Sequence, residues 1–149
     1  MTATAHAVLG TVIAVKVGNP ALAVPLAIAS HIAADMFPHW DTATNISRKG
    51  KRRAIIDSFI DLIFGFLISY AIVIFLFPQT SLFYVLLLIL ASQSLDWLML
   101  PYYFLNINFP LFKWAYKFQK SFNHNLDKPW GIINQIAVLM LIVILAKVF

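Results

Sequence analysis

The sequence predicts an all-α membrane protein, a polytopic bundle of about five hydrophobic segments with one amphipathic helix lying at the interface. Three observations carry this. Hydrophobic residues make up 61% of the chain and charged residues only 11%, against roughly 25% charged in an ordinary soluble domain. The apolar residues come in long runs, broken at Pro20, Pro78, Pro101 and Pro129 and by one block of Arg and Lys. The net charge of +5 arises beside those runs, which points to membrane lipids with anionic headgroups as partners and away from direct nucleic-acid binding. No linker or repeat divides the chain, so residues 1–149 read as a single integral membrane domain.

The first apolar segment runs from Thr4 to Val17 and holds His6 near its start. Gly18 and Asn19 make a turn, and Pro20 opens the second segment, where proline suits a helix. That segment, Pro20 to Phe37, ends before Pro38, which disfavours helical geometry in its neighbour. Both pieces would be about 21–27 Å long against a core about 30 Å thick, so they cross a thinned bilayer or form a re-entrant hairpin. A polar loop from Thr42 to Arg53 follows. The third helix, Ala54 to Phe77, is long enough to span, and the fourth, Ser81 to Leu100, is apolar until Asp96. Between Tyr102 and Lys128, Leu111, Ala115, Phe118 and Phe122 share one helical face and Lys113, Lys117 and Lys120 another. This is the pattern of a basic helix lying in the interface. The last helix runs from Pro129 to Phe149.

Lys and Arg concentrate on the cytoplasmic side of membrane proteins. With the cluster at residues 48–53 inside, the third helix runs outward, the fourth returns, and the lysines of residues 113–128 also fall inside. The N-terminus is then cytoplasmic. Every histidine and every acid gathers at that end of the bundle.

The densest group is HIAADMFPHWD, His31 to Asp41, with two of the four histidines and two of the six acids. Ionisable groups at the end of an apolar run are costly unless they bind something. His31 and Asp35, four apart, share one helical face; His39 and Asp41, two apart in an extended segment, point to a common side. With no cysteine in the chain, only nitrogen and oxygen can ligate. Imidazole and carboxylate suit a divalent metal, zinc first with manganese or iron as alternatives, and the groups suffice for one or two ions. Asp57 and Asp61 are second-metal or outer ligands on this reading; they equally serve to offset Arg52 and Arg53 and to complement a helix N-terminus. Asp96 is a candidate general base in an apolar setting, and His124 a second catalytic candidate. Arg48, Lys49, Lys51, Arg52 and Arg53 would hold a lipid or phosphate headgroup.

The N-terminal TAHAVLG, the HxxxD of His31 and Asp35 and the PHWD that follows resemble the YdjM-like group, described as LexA-binding, inner-membrane-associated, metal-dependent hydrolases. The HxxxD spacing is also similar to that of bacterial zinc-dependent phospholipase C enzymes. The resemblance covers mainly residues 4–41. It implies an inner (cytoplasmic) membrane location and a metal site at His6, His31, Asp35, His39 and Asp41. The group commonly carries a second motif, HRGxTHS, whereas SRKGKRRAIIDSFIDL stands here without histidine. Either Asp57 and Asp61 substitute, or the chemistry differs or is lost.

The expected function is that of a membrane-bound metal-dependent hydrolase acting on a phosphoester or lipid at the cytoplasmic face. The rival is a non-catalytic membrane scaffold or a metal- or partner-binding protein, with the histidines structural. A transport path is disfavoured, because the far halves of helices three to five lack ionisable groups until Lys147.

Overall fold

The computed structural model describes all 149 residues as eight helices without a strand. They are α1 (Ala3–Lys16), α2 (Pro20–Met36), α3 (Ile46–Lys49), α4 (Lys51–Leu76), α5 (Leu82–Ser92), α6 (Ser94–Tyr103), α7 (Pro110–Phe122) and α8 (Trp130–Val148). The all-α expectation holds.

α1 is the axis, with α2, α4, α5 and α8 packed around it. Its buried residues are mostly small: Ala5, Ala7, Gly10 and Ala14. Small side chains let helix backbones approach closely. At Gly10 the approach is tightest, since a Cβ there would meet the Leu88 carbonyl oxygen at 2.5 Å and Ser92 Oγ at 2.7 Å. The main apolar cluster joins Ala7 and Ala14 to Ala23 and Ala27 of α2, Val73 of α4, and Val85, Leu88 and Ile89 of α5.

The start of α1 is held from two sides. The Thr2 side chain accepts from the Ala5 N–H, and the Asp61 carboxylate of α4 accepts from the Ala3 N–H at 2.5 Å and from Thr4 Oγ1 at 2.7 Å. A carboxylate at a helix N-terminus satisfies free donors and complements the dipole.

α4, with 26 residues, and α8, with 19, are long and apolar enough to cross a membrane; α5 and α6 together make a third candidate, bent by 46°. Two or three candidate spans are fewer than the five or so membrane segments expected. α1 and α2 have 14 and 17 residues, which at 1.5 Å per residue falls short of a core about 30 Å thick. The apolar sequence of α1 serves a protein interior, because four helices cover it.

The single fourth helix expected over Ser81–Leu100 is two helices. Gln93 leaves helical geometry at φ −100°, ψ 0°. Its Nε2 donates to the Ala3 carbonyl at 2.9 Å, and Ser92 Oγ donates to the His6 carbonyl at 2.7 Å. Ser92 and Gln93 tie the break to the first turn of α1, and α6 leaves it in a new direction. Pro101 lies inside α6 and does not end it.

α7 is amphipathic as expected, but its inward stripe is Ala115 and Gln119, while Leu111 and Phe118 are exposed. Beside it, the segment after α2 runs parallel to the segment before α8. The His39 N–H donates to the His124 carbonyl at 3.1 Å, and the Leu126 N–H donates to the His39 carbonyl at 2.6 Å. Gly131 permits this junction, for a Cβ there would collide with the Leu126 carbonyl and lie 2.7 Å from the Trp40 nitrogen.

Candidate metal centre

α1, α2, α6, α7 and the segment after α2 meet at one largely buried point, where they bring together His6, His31, Asp35, His39, Asp96 and Gln119. Asp35 is its middle, only 1% exposed. Its Oδ1 lies 3.3 Å from His6 Nε2 and 3.8 Å from His39 Nε2, and its Oδ2 lies 3.3 Å from His31 Nε2. Asp96 Oδ1 comes within 3.8 Å of His31 Nε2. Three imidazoles therefore direct the same ring nitrogen at one carboxylate. The Met1 ammonium also pairs with Asp35, so a cation already lodges among these donors.

The orientation of two histidines is fixed from behind. His31 Nδ1 lies 2.7 Å from the Ser92 carbonyl oxygen, and His39 Nδ1 lies 2.6 Å from that of Phe37. A carbonyl only accepts, so each Nδ1 carries the hydrogen, and Nε2 is the ring nitrogen that faces Asp35. Histidines that ligate metals are almost always held this way, by a hydrogen bond from the other ring nitrogen. The His6 ring stacks on His31 with centroids 3.8 Å apart and planes 12° apart.

His6 and His39 are wholly buried, and His6 Nε2 and His39 Nε2 have no hydrogen-bond partner. Buried polar atoms without partners are rare and costly. Burial first, then the nearby Met1 ammonium, pushes the His39 imidazole below its ordinary pKa, which keeps its lone pair free. Donor atoms of His6, His31 and Asp96 lie within 4.8 Å of one another, so this group could hold a metal ion. The nitrogen and oxygen donors fit such an ion.

The other residues singled out in the sequence divide. Asp41 borders the centre: its Oδ2 lies 3.9 Å from His39 Nε2, while its Oδ1 accepts from the Ala43 and Thr44 N–H groups at 2.6 and 2.7 Å. Asp57 is drawn off to Lys49 and Arg53, at 3.1 and 2.8 Å. Asp61 is engaged at the start of α1. The His124 side chain is exposed; its main chain is what matters locally, with its N–H donating to the Asp35 carbonyl at 2.8 Å and its own carbonyl accepting from His39. Arg48 and Arg52 are exposed, and Lys51 bonds Asn106 Oδ1 at 3.0 Å. Lys49 and Arg53 line a surface recess of about 560 Å³ with Trp40 and Lys128. Lys128 Nζ sits 4.1 Å from the Trp40 ring centroid.

Gln119 is the residue that sequence reasoning missed. Its Nε2 donates to Asp96 Oδ1 at 2.6 Å and to Asp35 Oδ2 at 3.3 Å, and lies 3.1 Å from His31 Nε2. The signal was present: Gln119 follows Ala115 by four, a lone amide on the inward stripe of a helix whose lysines face elsewhere.

No protein-family model, curated protein or solved structure matches this chain. The donors themselves say what the centre can do.

Proposed function

We propose that this chain is a membrane-bound, metal-dependent hydrolase acting on a phosphoester or lipid at the cytoplasmic face of the inner membrane, in keeping with its resemblance to the YdjM-like group. One observation carries the reading: three buried imidazoles aim Nε2 at the Asp35 carboxylate, and two of them are locked by hydrogen bonds to backbone carbonyls.

His6, His31 and Asp96 would hold the ion, which would give Asp96 the role of ligand in place of the general base expected from its setting. Asp35 faces His6 and His39 with Oδ1 and His31 with Oδ2, so the donors would suffice for one zinc ion or two. A bound ion of this kind supplies Lewis acidity, polarising a phosphoryl or carbonyl oxygen and making water a nucleophile near neutral pH. Gln119 keeps the two carboxylates oriented. In a phosphoester hydrolysis the P–O bond to the alcohol breaks, the hydroxyl of water goes to phosphorus, and its remaining proton goes to the departing alcohol oxygen.

The test is a panel of soluble phosphomonoesters, soluble phosphodiesters and phospholipids, offered to zinc- or manganese-loaded protein with products followed by mass spectrometry. Turnover of at least one class, lost in Asp35→Asn, supports the reading. A folded, metal-loaded protein that leaves the whole panel intact overturns it.

A further inference from the structure

A cavity of about 630 Å³ reaches from the metal centre to the surface between α4 and α6. That volume is typical of sites that enclose a small organic ligand, roughly 300–1,000 Å³. Its inner end is polar, formed by Asp35, Asp96 and Gln119. Its walls are not. α4 contributes Ile55, Phe59 and Leu62, a stripe at helical spacing, and α6 contributes Trp97 and Leu100 from the face that also carries Asp96. α4 is packed on α1 and does not close on α6, so the cavity is a slot between two helices. Ile55 is 43% exposed, Phe59 63% and Trp97 44%: the lip is apolar.

The depth of the slot fits the bilayer. α4 is of spanning length and begins at Lys51. Residues 55–62 therefore lie about 6–17 Å along its axis at 1.5 Å per residue. Measured inward from a basic end, that is where headgroups give way to chains in a bilayer about 40–45 Å thick overall. An apolar slot at this depth strips water from a soluble phosphate without recompense, while an acyl chain exchanges its own kind for equally apolar walls at little cost, with its head against polar groups. Lys120, Ser58 and Asn123 also lie on the lining and complement a phosphate-bearing head.

We propose that the substrate is a single phospholipid that enters sideways from the bilayer between α4 and α6, with its chain along Leu62 and Leu100 and its headgroup linkage at Asp35 and Asp96. For its chemistry this rests on the hydrolase reading; for the entry route it rests on the slot.

The experiment uses the full chain, zinc-loaded in lipid nanodiscs containing phosphatidylglycerol with a photoactivatable diazirine in its acyl chain. Adducts are mapped by mass spectrometry. Adducts form on Leu62 and Leu100, which are half-buried, as well as on the outward-facing Phe75 and Leu141. Ser58→Trp, or Leu100→Trp where the first variant does not insert, fills the slot and removes the Leu62 adduct while the Phe75 and Leu141 adducts persist. Adducts confined to the outward faces, or a Leu62 adduct indifferent to both variants, overturn the proposal. The two readings fail separately. Lipid captured in the slot without turnover of any phosphoester leaves the entry route standing and removes the hydrolase. Hydrolysis of soluble phosphoesters alone, with no adduct on the slot walls, does the reverse.

Discussion

Gln119→Leu removes one amide from the metal centre and keeps nearly the same side-chain volume on the buried face of α7. Gln119 Nε2 lies 2.6 Å from Asp96 Oδ1 and 3.3 Å from Asp35 Oδ2. A hydrogen bond to a charged group contributes about 1.5–3 kcal/mol, and the shorter of the two is the stronger. Loss of an outer partner of a metal ligand typically weakens metal binding by about 10–100-fold, which is about 1.4–2.8 kcal/mol. The two estimates overlap, so Gln119→Leu binds zinc about 10–100-fold more weakly than wild type. The assay is competition against a chelator of known affinity with detergent-purified protein. Lys117→Ala, on the exposed face of the same helix, retains wild-type affinity and separates the lost amide from any general weakening of α7. Equal zinc affinity in Gln119→Leu and wild type would refute the reasoning, because Asp35 and Asp96 would then need no orienting donor.

Three further outcomes follow from the packing and the charges. Gly10→Ala forces a methyl against the Leu88 carbonyl and Ser92; overpacking costs about 1–3 kcal/mol, seen as a lower Tm in detergent. Because the Ser92 carbonyl holds His31, zinc uptake weakens with it, and unchanged Tm and uptake would disprove the close packing. Asp57→Asn breaks partly exposed pairs with Lys49 and Arg53, so stability changes by less than about 1 kcal/mol and metal content stays at the wild-type value; an ion lost in this variant would put Asp57 into the centre. The Lys128 N–H, followed by the Asn45 amide, holds the Asp127 carboxyl below its ordinary pKa. A carboxyl with a folded pKa below its unfolded value, about 3.9, contributes stability above that pH and loses it as pH falls through the folded value. Wild type therefore protects the Lys128 amide from hydrogen exchange better than Asp127→Asn at neutral pH, and the difference vanishes in acid; a difference that persists in acid contradicts the assignment.

Spacing made part of the centre legible and concealed the rest. His31 and Asp35 meet because four residues make one turn of a helix, and that much needed only the sequence. The same spacing joins Asp57 and Asp61, yet they part: Asp57 turns to Lys49 and Arg53, and Asp61 to the first turn of α1. Periodicity assigns a face without naming what that face meets. Asp96 stood out as a charge in an apolar run, but its place beside His31 depends on the break at Gln93. That break is made by hydrogen bonds from Ser92 and Gln93 to α1, contacts some 90 residues apart in the chain. Gln119 was overlooked because an uncharged amide on an amphipathic helix looks like filler until its partners are known. The count of membrane segments fell for a related reason: an apolar run such as α1 satisfies a protein interior as readily as a bilayer.

Metal content shows whether these side chains bind an ion. Wild type and His31→Ala/Asp35→Ala are purified in detergent, loaded with zinc or manganese, freed of excess metal and measured by elemental mass spectrometry. The donor set predicts about one or two ions per wild-type chain and none in the double variant, with circular dichroism showing both helical. A folded wild-type protein that retains no ion after loading would contradict the account, and the buried histidines and carboxylates would then be a structural network.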